Sequence, residues 1–281
     1  NTGISTVGIY GGCNKIFEKL ELNKGCDILI ATPGKLVEYL NEQKILNFQM
    51  IKYLVLDEAD KMLDKAFEIQ LRSIFGKLPK RKERQNLLFS ATINDDVKGI
   101  AKFCLNNYYY FHPKLESPKQ ITHEFLQFKN DNEKVNYLIS FLKKKENKNK
   151  SALIFMRSKD NAEELLKIFN DNNFSCCTLH GHKPQKEREL SVKKFKLGYK
   201  KILIATDICS RGLYFPNVSY VINFDVPYSI EDYIHRIGRT GRIGQDGKAI
   251  TLVNTMDETS KEKLSNFLKN QGQEVPNWIY D

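Results

Sequence analysis

One arrangement recurs along these 281 residues and limits the fold more than any other feature: a short apolar run, a polar or glycine-bearing cluster, then an amphipathic stretch. Ile28-Leu29-Ile30-Ala31 runs into Thr32-Pro33-Gly34, Tyr53-Leu54-Val55-Leu56 into Asp57-Glu58-Ala59-Asp60, and Leu87-Leu88-Phe89 into Ser90-Ala91-Thr92. Leu153-Ile154-Phe155-Met156 then precedes Arg157-Ser158, and Ile202-Leu203-Ile204-Ala205 precedes Thr206-Asp207. Strand, cluster and helix in alternation predict an α/β fold with parallel sheets. Such sheets bind ligands beyond the carboxyl ends of their strands, so the clusters mark the edge where a site belongs.

Both halves of the chain share this pattern, and it lapses between Tyr110 and Ile121, where Pro113 and Pro118 stand among charged residues. The expected organisation is therefore a first domain over residues 1–112, a linker over 113–121 and a second domain over 122–281. Tyr108-Tyr109-Tyr110, at the end of a strand leading into the linker, reads as core and edge packing in preference to base stacking. The lysine- and asparagine-rich stretch 143–150 reads as a solvated loop, as does 80–84.

With 41% hydrophobic and 28% charged residues the composition is that of a soluble globular protein, and no apolar run approaches the ~18 residues that would span a membrane. Lys+Arg 44 against Asp+Glu 34 leaves +10, an imbalance that favours a polyanionic partner. The six cysteines form no CxxC and no Cys/His ligand cluster, which reads as reduced thiols of an intracellular protein, cytoplasmic or nuclear.

A strand that delivers the adjacent carboxylates Asp57 and Glu58 suits a nucleotide site: one acid holds Mg²⁺, commonly through water, and the next orients or deprotonates the attacking water. An acidic helix start is the alternative for this tetrapeptide alone. Arg239 and Arg242 stand three apart beside Gly238 and Gly241, which discourage a regular helix, an arrangement suited to guanidiniums that project towards phosphate. A solvated basic loop is the alternative there, and a helix N-cap is the alternative for Ser90 and Thr92.

Asp57-Glu58-Ala59-Asp60, Ser90-Ala91-Thr92 and His235-Arg236-Ile237-Gly238-Arg239-Thr240-Gly241-Arg242 occur in that order, and with them the chain resembles the DEAD-box ATP-dependent RNA helicases. The resemblance extends over nearly the whole sequence through Gly11-Gly12, Thr32-Pro33-Gly34-Lys35, Phe155, His180-Gly181, Gln185, Arg188, Ala205-Thr206-Asp207 and Ser210-Arg211-Gly212-Leu213. The tail Gly272 to Trp278 and the Ser210-Arg211-Gly212 variant are similar to the Vasa-type branch. The resemblance implies two RecA-like domains, the first incomplete at its N-terminus. It also implies ATP and Mg²⁺ as cofactors, and local unwinding of RNA duplexes or remodelling of RNA-protein complexes.

Site residues follow from the same resemblance. It implies that Asp57, Glu58, Arg239 and Arg242 serve hydrolysis, the two arginines as fingers, and that Gly212 and Tyr214 join them in holding the nucleotide. His235 and Arg236 would tie their segment to Asp60, Ser90 and Thr92 across the domains. Sequence-independent contacts to single-stranded RNA, made to phosphate and ribose, would come from Gly11, Gly12, Thr32, Pro33, Gly34 and Lys35, and from Ser158, Gly181, Gln185, Arg188 and Thr206. Thr32 would place both hydroxyl and amide on one phosphate at a helix start.

Three departures qualify this. No GxxxxGK[ST] phosphate-cradling loop, adenine-reading Gln motif or PTREL-type motif occurs in the 281 residues. Lys35 replaces the usual Arg, which loses a bidentate fork, and Tyr214 stands where an Asp is usual, which puts the ribose contact in doubt. The expectation is a helicase whose phosphate-cradling part lies upstream, this polypeptide alone being inactive. The alternative is a non-enzymatic RNA-binding remnant or clamp, if Asn1 is the true N-terminus.

Overall fold

The computed structural model describes the chain apart from residues 1, 43–45, 63–64, 91–92, 94, 112–120, 208–212, 214, 216–217, 242–245, 255–256, 271 and 281. Thr92, Gly212, Tyr214, Arg242 and nearly all of the expected linker lie outside the described residues. The chain divides into two compact units, residues 1–111 and 112–281.

In the second unit six strands form one sheet in the order β5-β10-β9-β6-β8-β7, every neighbouring pair parallel. They are β5 (Ile121–Gln127), β6 (Ala152–Phe155), β7 (Cys176–Leu179), β8 (Ile202–Ala205), β9 (Tyr220–Asn223) and β10 (Gly247–Val253). All residues of β6, β8 and β9 are buried, as expected of strands covered on both faces. One face packs on α5 (Asp131–Lys143) and α6 (Lys159–Asp171) through Leu138, Phe141, Leu165 and Phe169. The other packs on α7 (Gln185–Lys196), α8 (Ile230–Ile237) and α9 (Glu258–Asn270) through Phe195, Tyr233, Ile237, Leu264 and Leu268.

Two details differ from expectation here. Ile121, counted with the linker, begins β5 because its buried side chain joins Tyr233 and Ile237 in the core. Within the stretch 143–150, Asn147 is buried, donating to the Phe141 carbonyl at 2.8 Å and accepting from Tyr220 Oη at 2.6 Å. A polar side chain thus closes the end of α5 over the sheet.

The first unit holds, among the described residues, two separate two-stranded parallel sheets, β1 (Thr6–Ile9) with β2 (Ile28–Ala31) and β3 (Tyr53–Leu56) with β4 (Gln85–Leu88). Each has its own small core: Val7, Ile9, Leu22 and Tyr39 beside the first, Leu56, Leu71 and Cys104 beside the second. The helices are α1 (Lys15–Asn23), α2 (Pro33–Asn41), α3 (Lys65–Phe75) and α4 (Asp95–Cys104). Alternate residues on the opposite faces are bare, Ile30 at 62% and Tyr53 at 68% exposure, where a complete parallel sheet would be covered on both sides.

Tyr108, Tyr109 and Tyr110 correct the packing expectation. They follow α4 outside any described strand and are exposed, Tyr109 at 86%. With no strand to set an alternation, these side chains have no inward face to occupy.

Candidate functional site

In the first unit the acidic tetrad leaves the end of β3. Glu58 has a φ of +53°, left-handed backbone that costs a side-chain-bearing residue about 1 kcal/mol, and its amide donates to Asp57 Oδ1 at 2.9 Å. The turn leaves the Asp57 carboxylate exposed and that of Glu58 half-buried, whereas Asp60 is buried at the start of a 3-10 helix over Ala59–Met62. The β3–β4 ladder continues past the strands, with Phe89 N donating to Leu56 O at 2.8 Å and Ala59 N to Phe89 O at 3.0 Å. Ser90 Oγ then donates to Asp60 Oδ1 at 3.0 Å. The exposed Asp57 carboxylate suits Mg²⁺, a hard ion that keeps several waters and needs only one or two protein oxygens.

At the other sheet of this unit, Thr32 follows β2 and precedes α2, with Pro33 in the first turn. Its amide donates to Ile9 O at 3.2 Å, so the hydroxyl, which makes no capping bond, is the donor it presents. Gly11 and Gly12 are exposed after β1, and Gly12 has a φ of +86°, which only glycine adopts without strain. Gly34, on the first turn of α2, faces the Gln70 side chain. Lys35 is held inside the unit: Nζ lies 3.4 Å from Glu18 Oε2 and 3.1 Å from Glu38 Oε2, over the Tyr39 ring. Burial lowers the basicity of this ammonium, but the two carboxylates outweigh it and the pKa is raised. Glu18, itself 2% exposed, also accepts from Tyr39 Oη at 2.8 Å and from Tyr10 N at 3.3 Å.

In the second unit the expected residues line the carboxyl edge of the six-stranded sheet. Ser158, past β6, caps α6 by accepting from Asp160 N at 3.2 Å and Asn161 N at 3.4 Å. Gly181 follows β7 and is exposed, and Gln185 and Arg188 lie on the first turns of α7. Thr206 follows β8, its amide on Leu179 O at 3.1 Å. Gln185, Arg188 and Leu213 share the wall of a cavity of about 440 Å³ along α7, and Leu213 O accepts from Arg239 Nη1 at 2.6 Å.

Arg236, 2% exposed, has its donors committed within this unit. Nε and Nη2 each lie 2.6 Å from a carboxylate oxygen of Asp207, and Nη1 reaches Asn223 Oδ1 at 3.2 Å and Asp225 O at 2.7 Å. The guanidinium also lies over the Phe155 ring. One buried cation thus joins the ends of β6, β8 and β9, and its bidentate geometry and further acceptors are what such a charge requires. Gly238 caps α8 and Gly241 has a φ of +66°, so Arg239 stands in a turn, 8% exposed. His235 lies on α8 one residue from Arg236. A Cβ on Gly247 would collide with Thr240 Oγ1 and Gly241 N, so β10 can pass this turn only as glycine.

Sequence reasoning left Asn223 and Asp225 out and gave Asp207 no role. Asp207 had a signal, its place after Ala205-Thr206 at a strand end. Asn223 had a weaker one, a polar residue closing an apolar run.

Comparison with known proteins adds the following. The family description "DEAD/DEAH box helicase" matches residues 1–100, and "Helicase conserved C-terminal domain" matches residues 133–244. The probable ATP-dependent RNA helicase ddx3 of Dictyostelium discoideum is 38% identical over 278 residues, covering 98% of this chain and 39% of that protein. DEAD-box ATP-dependent RNA helicase 52A of Oryza sativa subsp. japonica is 37% identical over 288 residues, covering 99% and 48%. The chain therefore spans less than half the length of these curated relatives. S. cerevisiae Dbp5 bound to RNA and ADP BeF3 superposes with a TM-score of 0.81 at 30% identity, covering 97% of this chain and 69% of that one.

Proposed function

We propose a function from one premise: the chain belongs to the DEAD-box helicase family. The whole protein is an ATP-dependent RNA helicase that locally separates RNA duplexes or remodels RNA-protein complexes. The observation that carries this reading is the grouping of Asp57, Glu58, Asp60 and Ser90 at the ends of two adjacent parallel strands.

Within that reading Asp57 would hold Mg²⁺, which neutralises phosphate charge when bound. Glu58 orients the attacking water and takes its proton, while Arg239, and Arg242 beyond the described residues, meet the negative charge that develops on the transferred phosphate. Asp60 and Ser90, with Thr92, His235 and Arg236, couple that site to RNA. ATP and single-stranded RNA bind the closed arrangement of the two units better than the open one, and hydrolysis releases closure. Gly11, Gly12, Thr32, Pro33, Gly34 and Lys35, with Ser158, Gly181, Gln185, Arg188 and Thr206, hold ribose and phosphate. Gly212 and Tyr214 belong to the nucleotide side.

The 281-residue polypeptide, having no GxxxxGK[ST] loop, binds RNA but turns over ATP negligibly on its own. Measured by retention of matched ribo- and deoxyribo-strands, it should favour the ribo-strand and show little sequence preference. Equal retention of both strands would overturn RNA as the partner. RNA-stimulated ATP turnover at rates usual for intact helicases would overturn the inactivity of this polypeptide alone.

A further inference from the structure

The second unit contains a carboxylate that the sequence did not single out, and it holds the turn between β7 and α7. Glu163 lies on α6, and its Oε1 accepts from Thr178 Oγ1 at 2.7 Å and His180 Nε2 at 2.7 Å, with Lys183 Nζ at 3.2 Å. One helical turn earlier, Lys159 Nζ lies 2.9 Å from His182 Nδ1. Thr178 and His180 reach the same carboxylate because extended backbone turns every second side chain the same way, and the turn that follows, with Lys183 N donating to His180 O at 3.1 Å, brings Lys183 back to it. Leu179 therefore points to the core on the other face of the sheet, and Gly181 faces open space with no heavy atom within 4 Å of where a Cβ would stand.

From this geometry we infer that Glu163 is a positioning residue for RNA: it fixes the exposed Gly181 backbone against Ser158, which caps the same helix, and against the start of α7. The inference rests on the RNA-binding reading above and adds a residue that does not itself touch the ligand. His180 shows how much depends on this one carboxylate. Its ring is buried and its Nδ1 has no hydrogen-bond partner, so the bond from Nε2 to Glu163 sets the ring's orientation. That bond also requires the hydrogen to sit on Nε2. Burial favours the neutral acid form of Glu163, but donation from Thr178, His180 and Lys183 outweighs it and holds the carboxyl below its usual range.

The sign of one measurement separates positioning from charge. A carboxylate at an RNA-facing edge repels phosphate, so by electrostatics alone its removal tightens binding. Positioning predicts the opposite. RNA retention by the full 281-residue chain would be measured for Glu163→Ala, Glu163→Gln and Arg188→Ala across a salt series. Glu163→Ala should weaken binding about tenfold with the salt slope kept, the effect expected when one well-placed hydrogen bond to RNA is removed. Glu163→Gln, which keeps an acceptor but drops the charge, should stay within about twofold of the parent. Should Glu163→Ala fail to fold, Glu163→Met keeps the stem volume at this partly exposed position and carries the same expectation. Unchanged or tighter binding by Glu163→Ala or Glu163→Met, while Arg188→Ala weakens it, would overturn the positioning role alone. Normal binding by Arg188→Ala would overturn the RNA reading beneath it.

Discussion

Ser90 donates its hydroxyl to Asp60 across 30 positions of sequence, and the carboxylate that receives it is only 4% exposed. Lys61 Nζ lies 3.6 Å from the other oxygen of Asp60. The parallel β3–β4 ladder makes this meeting possible, because two strands ending at the same level bring the acidic tetrad and Ser90 side by side. A displacement of one segment is therefore felt by the other.

Replacing Ser90 by Ala should accordingly cost the first unit about 1–2 kcal/mol, the penalty for taking a donor from a buried acceptor. Urea unfolding of the 281-residue chain would read that loss. In a chain extended by a phosphate-cradling loop, Ser90→Ala should lower RNA strand separation more than ATP turnover. Equal proportional losses would mean that Ser90 supports the fold without coupling the two activities.

Lys35 is the second test, because its surroundings assign it work besides any contact with RNA. Glu18 is buried, and Lys35 supplies a cation to it. Lys35→Met should destabilise the first unit by about 2 kcal/mol, since it leaves a buried carboxylate without that partner. Adding Glu18→Gln should recover most of this, and a double-mutant cycle would give the coupling. If Lys35→Met unfolds at the parental urea concentration, the ion pair contributes nothing and the phosphate-directed reading of Lys35 gains ground.

The strands of both units were legible because a four-residue apolar run followed by a cluster leaves little choice of structure. The helix start expected at Thr32 was likewise met, α2 beginning at Pro33. Arg236 was legible only in part. The resemblance implied a tie across the domains, but its acceptors within the second unit, Asp207, Asn223 and Asp225, are gathered by the order β6, β8 and β9 in the sheet, which local sequence does not encode. Glu163 was invisible for the same reason: on a helix rich in charge it reads as a solvated face until β7 is laid beside it. Lys35 looked phosphate-directed because its neighbours in sequence are Thr32, Pro33 and Gly34, while its neighbours in space are Glu18, Glu38 and Tyr39.

Acid should weaken the second unit through His123. This residue of β5 lies among Tyr233 and Phe267, with Nδ1 2.6 Å from Tyr233 Oη, and burial lowers its pKa to about 4. The neutral ring is thus the folded form, and the unfolded chain takes up a proton near pH 6.5. Stability should be full above about pH 6.5, fall as the pH drops towards 4 and then level off, a loss of about 3 kcal/mol from this group. Urea unfolding at pH 7.5 and pH 5 would show it, and His123→Asn should reduce the difference between the two. An unchanged difference in that variant would assign the acid sensitivity to other groups.

Glu58 and Arg239 provide the strictest test of a shared reaction. Glu58 belongs to the first unit and Arg239 to the second, so one phosphate is served by both only if the units close on it. In a chain extended by a phosphate-cradling loop, Glu58→Gln keeps size and hydrogen-bonding capacity but removes the base. It should stall hydrolysis while the ATP-loaded protein still holds RNA. If Arg239 is the arginine finger proposed, Arg239→Ala should also stall hydrolysis, such a finger being worth ~10³ or more in rate, and should in addition weaken ATP-dependent RNA retention because the guanidinium would be part of what ATP offers the closed state. Residues that act as one unit are not additive, so the double variant should be scarcely slower than the worse single one. Single-turnover hydrolysis of the four proteins decides this: multiplicative losses, or normal turnover by Arg239→Ala, would show that the two side chains do not act on the same phosphate.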